Sequence, residues 1–242
     1  MPEGPSILLL KQQLHPFINK TVIKAGGYGP MPTRWINGKK LKDIQTWGKH
    51  LLLIFPNGAV RIHLGLFGDV LINERKKVNR SFFLEFASGE INGYVVNAKK
   101  IEKPLREIYD WRTDILSSDF DARYVKSLID QKAKKPIHEI LMDQNIFTGV
   151  GNKIRVEALY RAGIHPKSIA GKIPKDKMSK LIKEVRTYGK MFFNELKKTG
   201  HHKKFGVYQR EFTDDGDEVK VLKLKDGRKV YVDEGRQILY NF

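Results

Sequence analysis

The chain opens MPEGPSILLLKQQL, with a proline directly behind the initiator Met and an acid directly behind the proline. Once Met1 is removed, Pro2 presents a free secondary amine on the fixed ring of an imino acid, and such an amine is a nucleophile. A second stretch with chemical content is DQNIFTGVGNKIRVEALYRAGIHP, a Gly-rich turn (Gly149, Gly151, Asn152) opening onto a helix that Gly163 and Pro166 close. Such a turn exposes backbone N–H groups and the positive end of a helix, which together hold a phosphate; an ordinary helix–helix connection has the same spacing. Cysteine is absent. That excludes disulfides, thiol nucleophiles and Cys-based zinc or iron–sulfur sites. Of the seven His, His201 and His202 are adjacent and no third ligand stands at a recognisable spacing, so neither a metal nor a cofactor is expected.

The substrate of such an amine is bounded by charge. The 242 residues carry 45 Lys+Arg against 27 Asp+Glu, a formal +18 spread through the whole chain, which points to a polyanionic partner. A membrane surface fits less well, because no helix reads as basic on one side and richly apolar with Trp on the other. The apolar run Ile7 to Leu10 is too short to span a bilayer or to serve as a signal-peptide core, so an intracellular protein is expected, cytoplasmic and nucleoid-associated or nuclear.

The elements that would position these residues change period along the chain. Ile7, Leu10 and Leu14 recur at helical spacing after Pro5, with Pro16 as a stop, which sets the amine at the mouth of a short helix. From there to about residue 100 the period is two. HLLLIFPNGAVRIHLGLFGDVLI reads as two strands around Pro56, Asn57 and Gly58, with Val60, Ile62, Leu64 and Leu66 on one face and Arg61 and His63 on the other. RSFFLEFASGEINGYVVNA reads as another pair around Ser88 and Gly89, so an antiparallel sandwich or barrel is expected. A polar segment containing Pro104 then connects to helical patterns: Phe120, Tyr124 and Leu128; Ile137, Ile140 and Leu141; Val156, Leu159 and Tyr160; and a long stripe from Met178 through Leu181, Val185, Tyr188 and Phe192 to Leu196. EVKVLKLKDGRKVYVDEG alternates on both sides of Asp226-Gly227, a strong hairpin signal.

Four of these places, in order, resemble the formamidopyrimidine-DNA glycosylase and endonuclease VIII family of base-excision repair enzymes. MPEGP is similar to the family's amino terminus, WGKHLLLIF with RIHLGLFG to its central strands, MDQNIFTGVGNKIRVEALYRAGIHP to its helix-two-turn-helix, and VYQRE with KDGRKVYV to its carboxyl-terminal finger. The resemblance implies an α+β multidomain fold: an N-terminal antiparallel β-sandwich or barrel (1–105), a connector (106–119), a helical domain with the helix-two-turn-helix (120–205) and a β-hairpin finger (206–242). It implies Pro2 as the nucleophile on C1′ of the damaged nucleotide, and a terminal amine, with an intrinsic pKa of about 8, starts near the useful range. Glu3 would manage protons at the sugar, and Lys49 would share the catalytic site. Lys49, His63 and Asn152, with the Gly149–Gly151 turn and Lys153, would contact phosphates, and Arg228 would grip the backbone beside a flipped nucleotide. The implied reaction is removal of an oxidised base followed by β- and δ-elimination at the abasic site, on duplex DNA, by a monomer.

Three departures stand out. The family's finger usually holds zinc through four cysteines; here Asp233 and Arg236 stand near the last two, and a zincless hairpin held by pairs around Val230 and Val232 is expected. Ser6 replaces a second glutamate. LREIYDWRTDIL lacks an Arg-Phe-Gly element that fills the gap left in the duplex, leaving Leu66 and Phe67 as an apolar wedge and single-stranded or distorted DNA as a further substrate form. Two other readings stay open: a DNA-recognition protein on the same scaffold that no longer cuts, motivated by Ser6, and a basic RNA-binding protein.

Overall fold

The computed structural model describes residues 2–224 and 227–241, so Met1 and Asp226 of the hairpin turn lie outside the described residues. The chain divides into two compact units, with the boundary between Asp110 and Trp111.

In the first unit a helix, α1 (Gly4–Leu14), precedes eight strands and a short helix: β1 (Val22–Gly26), β2 (Asp43–Trp47), β3 (His50–Phe55), β4 (Gly58–His63), β5 (Asp69–Ile72), β6 (Phe82–Phe86), β7 (Gly89–Tyr94), β8 (Asn97–Ile101) and α2 (Leu105–Ile108). They form two four-stranded antiparallel sheets, ordered β2-β3-β4-β8 and β1-β6-β7-β5. One core joins them, with Ile44, Leu51, Leu53, Val60 and Ile62 from the first sheet and Val22, Phe82, Leu84, Phe86 and Ile91 from the second. The period-two pattern is what this demands, since alternate side chains of each strand face the opposite sheet. Helix α1 starts with Pro5 in its first turn, where a missing N–H costs nothing, and buries Ile7, Leu10 and Leu14 in the same core, packing against β2 and β3.

One reading from the sequence is corrected here. HLLLIFPNGAVRIHLGLFGDVLI holds three strands, because the chain leaves the first sheet after His63 and joins the second as β5. Gly65 takes a φ of +62° and the Gly68 N–H donates to the Leu64 carbonyl (2.8 Å) in the intervening turn. A Cβ on Gly68 would stand 2.1 Å from that carbonyl oxygen, so glycine is required there. Leu66 therefore does not continue the buried face of Val60, Ile62 and Leu64; it is 58% exposed and Phe67 83% exposed.

The second unit holds α3 (Ala122–Asp130), α4 (Ile137–Met142), α5 (Asn152–Ala162), α6 (Lys175–Thr199), and the antiparallel pair β9 (Lys220–Lys223) and β10 (Lys229–Val232). The stripe proposed for α3 is also corrected. Asp121 caps the helix by accepting from the N–H groups of Arg123 and Tyr124, which sets its phase so that Val125 and Ile129 are the buried positions while Tyr124 and Leu128 are half-buried. The stripe of α6 holds from Met178 to Phe192, with Leu196 half-buried at its edge. Thr113, Asp114 and Ile115, inside the segment read as a connector, are buried in this unit. Helix α5 is covered on both sides: Ile154, Ala158, Leu159 and Ala162 face the helical core, while Val156 joins a smaller core with Val207, Val219, Leu224, Val230 and Val232 of the finger. Among the described residues, no helix is long and apolar enough to cross a membrane.

Candidate nucleic-acid interface

Glu3 has an extended backbone (φ −120°, ψ 177°) at the N-cap of α1, and its carbonyl accepts from the N–H groups of Ser6 (2.9 Å) and Ile7 (3.3 Å). Its side chain is 2% exposed, while Pro2 is half-buried. The two residues at the amine are thus fixed by the first turn of a core helix.

Lys49 sits in the two-residue turn between β2 and β3, where Gly48 takes a φ of +53°. His63 ends β4, opposite His50 on one side and Asn97 on the other. Lys49, His50, His63 and the Leu66–Phe67 turn therefore gather at one end of the first sheet. Both imidazoles are held neutral: burial, then the Arg61 cation, then Lys49 lower the pKa of His63, and burial, then Arg61, then His63 push that of His50 down to about 4. His50 packs between Trp47 and Tyr109, with ring centroids 5.5 and 5.8 Å away, and its Nδ1 is buried without a hydrogen-bond partner.

A pH dependence follows. The unfolded chain binds the His50 proton near pH 6.5 and the folded chain only near 4, so the stability is whole above pH 6.5. It is lost as pH falls from 6.5 to 4, by up to about 3 kcal/mol. His50→Phe is expected to remove most of this slope in thermal melts across pH 4–7; an unchanged slope would place its origin elsewhere.

In the second unit the loop from Asp143 to Gly151 is built around Gln144. Its amide oxygen accepts from the Gly149 N–H (3.1 Å) and its amide nitrogen donates to the carbonyls of Met142 (3.1 Å) and Val150 (3.0 Å). Ile146, Phe147 and Val150 anchor the loop in the core, and the Thr113 and Thr148 hydroxyls meet at 2.7 Å. Gly149 takes a φ of +96°, open to glycine, and Gly151 is the N-cap of α5. Asn152 donates from Nδ2 to the Lys229 carbonyl (3.0 Å) and accepts from Arg155. That bond ties the helix start to the finger beside Arg228, which is exposed where the Leu224 N–H donates to the Arg228 carbonyl (2.9 Å). Lys153 lies over the rings of Phe192 and Phe205 (5.6 and 5.9 Å). Gly149, Gly151, Asn152, Lys153 and Arg228 are thus gathered at one end of α5 in this unit, as Pro2, Glu3, Lys49 and His63 belong to the other.

The finger closes without thiols. The Asp233 Oδ1 accepts from the N–H groups of Gly235 (3.0 Å) and Arg236 (3.1 Å), and the Thr213 Oγ1 accepts from that of Asp217 (3.1 Å). Val230 pairs with Leu222 and Val232 with Lys220 across the strands. Among the described residues no cluster of His, Asp or Glu could hold a metal ion.

Sequence reasoning did not single out three groups. His50 stands across the ladder from His63. Glu157 is a fully buried carboxylate on α5 that accepts from the N–H groups of Gly206 (2.9 Å), Val207 (3.0 Å) and Tyr208 (2.9 Å). His202 is buried between the Tyr188 hydroxyl (2.7 Å) and the Glu195 carboxylate, stacked on Phe192.

A β-sandwich unit led by a core helix is followed along the chain by a helical unit with a pinned Gly-rich loop and a hairpin finger. Residues 1–100 match the family model of the formamidopyrimidine-DNA glycosylase N-terminal domain and residues 112–190 that of the formamidopyrimidine-DNA glycosylase H2TH domain. The chain belongs to the formamidopyrimidine-DNA glycosylase and endonuclease VIII family. It is 30% identical over 205 residues to a formamidopyrimidine-DNA glycosylase of Shewanella piezotolerans, covering 77% of this chain and 75% of the relative. It is 28% identical over 206 residues to Endonuclease 8-like 3 of Xenopus laevis, covering 78% of this chain and 33% of that protein. The chain thus spans about a third of the length of the Endonuclease 8-like 3 relatives that it matches. In fold it is similar to the Lactococcus lactis formamidopyrimidine-DNA glycosylase bound to DNA containing an abasic site, at a TM-score of 0.84 and 18% identity over 97% of this chain and 99% of the other.

Proposed function

We propose that this chain is a DNA glycosylase and abasic-site lyase that works through the amine of Pro2 once Met1 is removed. The observation that carries the reading is the buried Glu3 carboxyl directly behind a half-buried Pro2, both fixed at the start of a core helix. The Pro2 nitrogen attacks C1′, the C1′–N bond to the damaged base breaks, and the base leaves with a proton; the sugar ring opens to an iminium. Loss of a C2′ proton then expels the 3′ phosphate by β-elimination, and a second elimination expels the 5′ phosphate. Glu3 manages the protons at the sugar. In the first unit Lys49 and His63 contact backbone phosphates of the bound DNA; in the second Asn152, Lys153 and Arg228, with the Gly149 and Gly151 N–H groups, do so. Duplex DNA with oxidised bases or abasic sites is the substrate, and single-stranded DNA a further form of it.

Incubating the processed protein with an abasic-site duplex and borohydride tests this. A reduced adduct on the amino-terminal peptide, absent when Met1 is retained, supports the amine mechanism. Tight binding with no adduct would replace the lyase by the non-cutting recognition protein that Ser6 suggested.

Leu66 and Phe67, exposed in the turn between β4 and β5, wedge a base step. Phe67→Ala is expected to leave the melting temperature unchanged, because the ring is 83% exposed, and to weaken excision from duplex by about tenfold, within the roughly 1–3 kcal/mol that stacking a base on an aromatic side chain is worth, with a smaller effect on single strands. Equal losses on both forms would exclude the wedge.

A further inference from the structure

We propose that Arg61, Lys99 and Lys103 form an additional anion site that holds a phosphodiester of bound DNA, next to the phosphate assigned to His63 and Lys49. This rests on the reading of the chain as a DNA-binding protein. Arg61 on β4 stands directly opposite Lys99 on β8. Like charges so placed in an antiparallel ladder destabilise it, so the pairing asks for a counter-charge. No carboxylate supplies one. Among the described residues none of the three cations has an acidic partner, and Glu102, beside them, is taken by Lys100 (2.6 Å). The Arg61 Nε is buried with no hydrogen-bond partner, and the guanidinium lies beside the Tyr109 phenol.

A cavity of about 470 Å³ opens between Arg61, Lys99, Lys103, Ile108 and Tyr109, with the Lys100–Glu102 ion pair also in its wall. Both lysines are exposed, Lys99 on the edge strand β8 and Lys103 just past its end. Arg61 and His63 are two residues apart on one face of β4, about 6.6 Å along the strand. That separation resembles the step from one phosphate to the next along a nucleic-acid strand. A guanidinium offers its donors in a fork that matches phosphate oxygens, and the two lysines add point charges around it. The site therefore extends the grip on one strand by a phosphate, with no preference among bases.

The test is equilibrium binding of the full chain, over a salt series, to an undamaged duplex and to a duplex carrying a non-cleavable abasic analogue. Lys99→Gln combined with Lys103→Gln is compared with Lys24→Gln, an exposed lysine on the other sheet. The double variant is expected to flatten the plot of log K against log salt by about 1 relative to that control, and to weaken both duplexes by the same factor. Lys99→Glu is expected to raise the melting temperature, by giving Arg61 a cross-strand partner, while it weakens both complexes. Slopes and affinities equal to those of Lys24→Gln, beside a steep wild-type slope, would overturn the site. A wild-type chain with no salt-dependent affinity for either duplex would instead remove the DNA-binding reading itself, and the site with it.

Discussion

Glu3→Gln is expected to lower excision of an oxidised base from duplex DNA by about 10²–10⁴-fold, the range for losing a positioned proton-transfer group, without loss of affinity for a non-cleavable abasic duplex. The substitution keeps size and shape at a site where the side chain is 2% exposed. The helix start does not depend on the carboxyl, since it is the Glu3 carbonyl that accepts from Ser6 and Ile7. Phosphate contacts supply most of the affinity and lie elsewhere, so binding survives while proton transfer does not. Borohydride trapping on a ready-made abasic site is expected to fall less than base excision, because there the aldehyde already exists and no base has to leave. Single-turnover excision and trapping, measured on the same preparation, give that ratio. Wild-type excision by Glu3→Gln would remove Glu3 from the chemistry, and equal losses in both assays would assign it to the imine step alone.

The elements were legible where a single local rule decides them. Period two in Val60, Ile62 and Leu64 marks a strand with one dry face, and Met178 to Phe192 marks a helix with one dry stripe, because burial on one side imposes the period of the backbone. The reading failed at Leu66, where an apolar residue continues the pattern in letters after the backbone has turned at Gly65 and left the sheet. It slipped at α3, where the Asp121 cap sets the phase and the aromatic residues before and inside the helix suggested another. Helix α5 shows the limit of periodicity from the other side. It is covered on two faces, so its charged residues Arg155 and Glu157 are buried, and a pattern that expects charge outside cannot locate them. The candidate site residues came from a different signal, the order MPEGP, Lys49, His63 and the Gly149–Asn152 turn, which carries chemistry rather than packing. Arg61 was visible only as the neighbour of His63 on one strand face; its partner Lys99 depends on the register of β4 with β8, a long-range fact that no local spacing encodes.

The same buried carboxylate leads to the largest expected change in stability. Glu157 accepts three consecutive backbone N–H groups, from Gly206, Val207 and Tyr208, where the chain enters the finger. Glu157→Leu fills the volume but leaves those donors facing an apolar side chain, and at about 1–3 kcal/mol for each unsatisfied group that cannot relax to water, a loss of about 3–5 kcal/mol is expected. Glu157→Gln keeps one oxygen for two of the donors and turns an NH₂ toward the third, so a smaller loss is expected. Gly206 belongs to the same arrangement: a Cβ there would stand 2.7 Å from the Tyr160 ring and 3.2 Å from the Glu157 carboxylate, so Gly206→Ala would push the turn off its acceptor. The damage should be local first. Val156 reaches the finger core from the same helix, and Asn152 ties that helix to the strand beside Arg228, so loosening residues 206–208 is expected to displace Arg228, the proposed phosphate contact, while the core of Ile154, Ala158 and Leu159 persists. Hydrogen exchange is therefore expected to accelerate at residues 206–232 in Glu157→Leu before it does in α6, with DNA affinity falling in parallel. Uniform acceleration across the second unit would show that the finger and the helices unfold as one, and unchanged protection at 206–208 would show that the carboxylate is not what holds the turn.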